Sequence, residues 1–320
     1  MDTLTFIVQQ SMFFIIPLLI VALGGMFSER SGTINIALEG IMLMGGFTGV
    51  LFIHHVQNAG WNIHGNVLLL LAVIVSAICG GIFSLLHAYA SINLGADQTI
   101  SGTALNLFAP AFAIFVTRSI QKVQQIGFKN EFFIEKVPVL GDIPVIGPFF
   151  FQRSYITTYL GFLIFAISAI VIAHTRFGLR LRSCGEHPQA ADAVGINVYK
   201  IRYAGVFISG LLAGIGGLVF VVPTSTEFNA TVGGYGFLAL AVLIFGNWRS
   251  FGILGAALFF GLMKTLASAY TGLPFLKSLG IPSNIYKLIP YLATLIVLTI
   301  AAKKSQAPRA EGIPFEKGSR

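Results

Sequence analysis

Long uninterrupted apolar runs, separated by short polar breaks rich in Gly or Arg, set the pattern of this chain. From Ile41 through Ala96, and again from Tyr203 through Thr226, there is no Asp, Glu, Lys or Arg. A helix needs roughly 20 apolar residues to cross a hydrocarbon core, and only helices or closed barrels satisfy every backbone group there. The runs are continuous rather than alternating, which selects helices. They predict spans at about 6–27, 34–53, 66–90, 98–117, 155–174, 202–222, 236–246, 251–271 and 285–302. The seventh is too short to cross alone and reads as a half-helix, or as part of a broken element with the Gly-rich stretch before it. The expected fold is all-α, a polytopic helical membrane protein of about nine spans (8–10) in a single domain over 1–320.

Composition agrees. Hydrophobic residues make up 55% of the 320 positions and charged residues only 10%, against roughly 25% charged in an average soluble domain. There is too little polar surface to cover a soluble globule. The net charge of +8 does not point to nucleic acid, because the basic residues sit between or after spans, where they set topology. Alternating outward from a cytoplasmic 176–201 segment puts twelve Lys/Arg inside and six outside, with Lys264 and Lys287 in or beside spans. The N-terminus is then expected outside and the C-terminus in the cytoplasm, with 118–153 an external loop and 303–320 a cytoplasmic tail. The first run follows Met1-Asp2 with no basic flank, so it reads as a retained span rather than a signal peptide. Cys79 lies in an apolar run and Cys184 in a basic loop, so both are expected to be reduced.

Two polar interruptions resemble one another. Phe27-Ser-Glu-Arg-Ser-Gly-Thr-Ile-Asn35 follows the first span, and Pro223-Thr-Ser-Thr-Glu-Phe-Asn-Ala-Thr-Val-Gly-Gly-Tyr-Gly236 follows the sixth. On opposite faces, each before another apolar helix, they fit inverted halves of a transporter. They fit ordinary Gly-rich loops equally well. Between spans five and six, Pro188, the alanines 190, 191 and 193, and Gly195 predict a short helix over His187–Val194. It offers either a rigid surface for another protein to grip or simply a basic loop that sets topology.

Buried charge is the other candidate chemistry. Ionisable residues at membrane depth are costly and face a cavity or a partner. Glu39 and Asn35 share a helix face and could line a passage; Glu39 could instead lock the broken segment to a neighbour, with Arg30 as the expected partner. Lys264 could meet an acid in a partner subunit or snorkel. Asp97-Gln98 open the fourth span as caps. His54, His55 and His64 have poor metal spacing, so no metal site is expected. No phosphate-binding G-x-x-x-x-G-K-[ST] loop occurs, and Gly214-Ile-Gly-Gly217 lies inside a span, where glycines serve helix packing.

Four separated motifs resemble one family. They are Phe27-Ser-Glu-Arg-Ser-Gly-Thr-Ile-Asn-Ile-Ala-Leu-Glu-Gly40; Gly178-Leu-Arg-Leu-Arg182 with Gly185-Glu-His-Pro188 and Gly195-Ile196; Gly236-Phe-Leu-Ala-Leu-Ala241 with Phe245-Gly-Asn-Trp248; and Ala307-Pro308 with Gly312-Ile-Pro-Phe315. Together they are similar to the permease subunits of ABC importers that include the ribose and branched-chain amino acid permeases, most of all the shorter permease of nucleoside importers. His187 stands in place of an expected Asn, and Phe315 in place of a Tyr.

The resemblance implies a non-enzymatic subunit of a bacterial plasma-membrane importer for nucleosides or related simple sugars. ATP and Mg would be bound by a separate cytoplasmic ATPase, docked through Arg180, Arg182, Gly185, Glu186, His187, Pro188, Ala191 and Gly195. A second, homologous permease would complete the pathway, and an extracytoplasmic binding protein or lipoprotein would deliver substrate. Asn35, Glu39, Asn106, Tyr235 and Phe237 are the candidate pathway residues. An ATP-independent secondary transporter or channel is the alternative; it would need ion-linked carboxylates inside the bundle.

Overall fold

The computed structural model describes residues 3–61, 63–144, 147–269 and 306–317, with single positions 285, 288, 292, 295 and 299. The ninth predicted span, 285–302, and Lys287 thus lie outside the described residues, apart from those single positions. Among the described residues, seven helices are long and apolar enough to cross a membrane. They are α1 (Thr3–Glu29), α2 (Leu38–Asn58), α3 (Gly65–Ala88, extended by a π-helical turn over Tyr89–Asn93), α4 (Gln98–Gln121), α5 (Ile156–His174), α8 (Val198–Thr224) and α10 (Ser250–Ala269). Between them lie α6 (Arg176–Glu186), α7 (Pro188–Ala193) and α9 (Tyr235–Phe245). The seventh expected span is α9, whose 11 residues reach only about half the hydrocarbon thickness.

The pattern reading stops short in two places. The basic stretch from Arg176 is helical, not a loop, because Gly178, Leu181, Cys184 and Gly185 form one buried face. The 118–153 loop carries structure of its own. α4 runs on to Gln121 and ends on Lys122 in the left-handed region (φ 63°). Beyond it, β1 (Ile126–Gly127) pairs antiparallel with β4 (Glu227–Phe228), and β2 (Phe133–Lys136) with β3 (Gln152–Tyr155).

α8 is the axis of the bundle, packing against α1, α2 and α3. In its apolar window 72% of residues are buried, against 17% for α4, which places α4 at the edge. The approach to α8 is close enough to require glycine. A Cβ on Gly217 would overlap the Met42 carbonyl oxygen, and one on Gly45 would overlap the backbone of Gly214. Small residues at such crossings bring backbones together, which is where dispersion between membrane helices is gained.

The two ends of the bundle differ. At one, which we call the hairpin end, the short strands gather and α2 finishes, with His54 Nδ1 2.7 Å from the Gly127 carbonyl oxygen. At the other, the tail end, α6, α7 and the tail residues 306–317 meet the segment after α1: Ala310 N–H donates to the Gly185 carbonyl at 2.8 Å and Gly312 N–H to the Gly32 carbonyl at 3.2 Å.

Candidate functional site

Two polar constructions stand out against the apolar bundle. The first lies where the two interruptions meet. Residues 30–37 come in from the tail end and 225–234 from the hairpin end, and the helices that follow, α2 and α9, begin side by side. Glu39 in the first turn of α2 accepts from Gly234 N–H (Oε1, 2.9 Å) and Gly236 N–H (Oε2, 2.6 Å). A carboxylate on the free amides of a helix start satisfies orphan donors and complements the dipole. Gly236 permits the contact, since any Cβ there would overlap the Glu39 backbone.

α2 is held in turn by α4. Asn106 Oδ1 accepts from Gly40 N–H at 2.7 Å, and its Nδ2 donates to the Ile36 carbonyl at 2.8 Å. Just upstream, Ile34 N–H donates to Gln98 Oε1 at 2.7 Å, and the Ile34 carbonyl lies 2.7 Å from His87 Nε2. The interrupted backbone is thus laced to α3 and α4 atom by atom, as buried backbone must be.

The remaining pathway candidates fall differently. Asn35 is fully buried and donates to Ser209 Oγ at 2.9 Å. Tyr235 is buried against Phe220 (ring centroids 4.0 Å), with Lys264 Nζ 5.7 Å from its ring centroid, a cation–π distance. Phe237 is half exposed. Asp97 caps α4, accepting from Thr99 N–H at 2.8 Å and Ile100 N–H at 2.9 Å. Arg30 is not the partner of Glu39: its guanidinium donates to the Trp248 carbonyl (2.9 and 3.1 Å) and faces Glu186 at 3.9 Å.

The second construction is the α6–α7 corner. Pro188 stands at the start of α7 and Gly195 follows it at φ +86°, a conformation that favours glycine. Gly185, Pro188 and Ala191 face inward. A Cβ on Gly185 would overlap the Arg30 carbonyl, so α6 sits directly on the end of α1. Arg180, His187 and Gly195 are exposed, whereas Arg182 and Glu186 are partly covered. The outward face also carries Gln189, Ala190, Ala193 and Val194, the last 76% exposed.

Sequence reasoning passed over the cluster behind this corner. Trp248 Nε1 donates to Glu29 Oε2 at 2.5 Å. Arg202 is 1% exposed and donates through Nη1 to the Ile313 carbonyl at 2.9 Å. Glu311 lies against Glu29 and Arg30, and burial pushes its carboxyl above the ordinary range. The available signal was that Trp248 and Gly312–Phe315 sit in motifs that had no assigned role.

Comparison with known proteins places these features in one family. The model of the branched-chain amino acid transport system / permease component family matches residues 7–298. The chain is 44% identical to the guanosine ABC transporter permease protein NupQ of Bacillus subtilis, covering 99% of this chain and 98% of that one. It is 41% identical to the nucleoside ABC transporter permease protein NupC of Lactococcus lactis, again over 99% and 98%. A second Lactococcus lactis protein, the nucleoside ABC transporter permease protein NupB, is 23% identical over 95% of this chain and 84% of its own. No solved structure matches. With seven helices among the described residues long and apolar enough to span a membrane, a half-helix stapled at its start, and a family model that takes in nearly the whole chain, the protein belongs to the branched-chain amino acid transport system permease family.

Proposed function

We propose that this chain is the transmembrane permease subunit of an ATP-driven importer for nucleosides in a bacterial plasma membrane. The observation that carries the reading is the likeness, along 99% of the chain, to two relatives named as guanosine and nucleoside ABC permeases. The chain itself is not an ATPase; ATP and Mg belong to a separate subunit that docks on the exposed face of α7. A second, homologous permease completes the pathway. The two Lactococcus lactis relatives, 41% and 23% identical to this chain and both named as nucleoside permeases, support such a pairing.

The Lys/Arg bias supports an external hairpin end and N-terminus and a cytoplasmic tail end. An extracytoplasmic binding protein then meets the strands at 126–127 and 227–228. Closure of the ATPase dimer displaces α7, and Gly185, seated on the Arg30 carbonyl, passes the displacement to α1. The bundle responds by alternating between outward- and inward-open states around the interrupted helices. Glu39, Asn106 and Asn35 shape that centre through backbone and side-chain bonds, while Phe237 offers an aromatic face suited to a flat base.

An ATP-independent carrier draws no support from Glu39, whose two oxygens are spent on Gly234 and Gly236 amides rather than held open for an ion. Val194→Asp, at the exposed residue that follows α7, is the direct test. In proteoliposomes holding both permeases, the ATPase and the binding protein, it is expected to cut ATP-driven guanosine uptake by about tenfold or more. Membrane insertion and thermal stability are expected to stay unchanged, because the side chain is 76% exposed. Normal uptake by this variant means α7 is not the docking helix.

A further inference from the structure

The tail after the last span is polar, carries Pro308 and Pro314, and reads in sequence as an extension. In the structure it is fastened at several points. Ala310 N–H donates to the Gly185 carbonyl (2.8 Å) at the end of α6, and Gly312 N–H to the Gly32 carbonyl (3.2 Å) beyond α1. The Ile313 carbonyl accepts from Arg202 on α8 (2.9 Å), and the Phe315 carbonyl accepts from Tyr199 Oη (3.1 Å). The Phe315 ring is buried in a small cluster with Cys184, Ala191 and Val198, which brings α6, α7 and α8 together.

We propose that residues 306–317 are a working part of the coupling device: a strap that ties α6 and α7 to α1 and α8, so that displacement of α7 moves the bundle rather than peeling α7 away. This rests on the reading of α7 as the ATPase docking helix. Four features carry it. α7 has six residues, too few for a helix to hold its own shape in water, so its stiffness must come from what surrounds it. The inner side of α7 is Ala191, and its cluster is completed by the tail's Phe315. The strap also occupies a position that only its own sequence fits. Gly312 has φ +77°, and a Cβ there would lie 2.9 Å from Ile34 Cδ1. Finally, Arg202 is a buried cation whose Nε and Nη2 have no partner among the described residues, and its one acceptor is a strap carbonyl. A buried charge left without that acceptor is strongly penalised, which keeps the strap seated.

The chain carries its own reporter. It has two cysteines, and Cys184 lies under Phe315 with its thiol pushed up to about 11 by burial. At neutral pH it is inert unless uncovered. The experiment uses the complete transporter in proteoliposomes, both permeases with the ATPase and binding protein, on a Cys79→Ser background. Uptake of guanosine, ATP hydrolysis and maleimide labelling of Cys184 are measured for wild type, a deletion of 306–320, and Gly312→Val. Both variants are expected to label Cys184, to hydrolyse ATP, and to import about tenfold less guanosine per ATP. If Cys184 becomes labelled while guanosine per ATP is unchanged, the strap is not part of coupling. Unlabelled Cys184 in both variants overturns the strap as well, since the tail then does not cover α6. Should the deletion fail to assemble, Gly312→Val decides alone. Absence of ATP-driven uptake by the wild-type complex overturns the importer reading and this one with it; normal wild-type uptake with unimpaired variants overturns only the strap.

Discussion

The interrupted centre and the tail end solve the same problem, broken backbone beside an apolar bundle, in opposite ways. At the centre, both oxygens of Glu39 and both polar groups of Asn106 are spent on backbone partners at 2.6–2.9 Å. At the tail end, Arg30 and Glu186 stand 3.9 Å apart, and Arg202 leaves two nitrogens, Nε and Nη2, without a partner among the described residues. Saturated polar contacts define one geometry, whereas under-satisfied ones leave alternatives close in energy. The contrast is between the Glu39 and Asn106 staples and the tail end, since Asn35 Oδ1, Thr33 Oγ1 and Gln98 Nε2 in the centre are also without a partner among the described residues. The stapled starts of α2 and α9 are the pivot to be tested, and the tail end is its counterpart.

Substitutions can break or sharpen that contrast. The largest effect is expected at the pivot. Glu39→Ala strands the Gly234 and Gly236 amides and removes two charge-assisted bonds, worth about 1.5–3 kcal/mol each. A marked fall in melting temperature in detergent is expected, with Glu39→Gln recovering part of it; an unchanged melting temperature would mean the pivot is not stapled there. Arg202→Met is expected to leave stability within ~1 kcal/mol, because a half-satisfied buried ion is replaced by an apolar chain of similar length. Its guanosine uptake should nonetheless fall, and a large loss of stability would place the tail end with the pivot.

The smallest effect is a pH slope. Burial raises the Glu311 carboxyl above the ordinary range, with the Glu29 carboxyl and the Arg30 guanidinium facing it. A group raised in the fold contributes its stability fully below the unfolded value and loses it as pH rises through the folded one. Melting temperature should therefore decline as pH rises above the ordinary carboxylate range, and Glu311→Gln should flatten that slope. A slope that Glu311→Gln leaves untouched assigns it to another group.

Most of the membrane architecture was legible because apolar runs need no distant information. The spans from α1 to α5, α8 and the half-helix α9 follow the runs to within a few residues. Gly214 and Gly217 were readable as packing positions and lie at backbone crossings. Other elements depend on contacts the pattern does not carry. α6 holds two glycines, poor signals for a helix, and forms because Gly178, Leu181, Cys184 and Gly185 find a surface to face. Glu39 was visible as an oddity, but its partners are backbone amides 195 and 197 residues away, and an amide has no letter in the sequence. The tail was least legible for the same reason. Ala310 and Gly312 hold it through N–H groups that any residue but proline possesses.

The close packing of α8 has a consequence for timing and direction. Its 27 residues span about 40 Å, from Val198 beside α7 to the Val222 carbonyl, which accepts from Asn130 Nδ2 at 2.9 Å near the strands. With glycine crossings locking its middle to α2 and α3, it behaves as a stiff rod with a contact at each end. A rod has no preferred direction for a signal. Equilibrium coupling between two ends is reciprocal, so under the proposed function whatever nucleotide state does to affinity at the strands, occupancy there would do in equal measure to nucleotide affinity at the tail end.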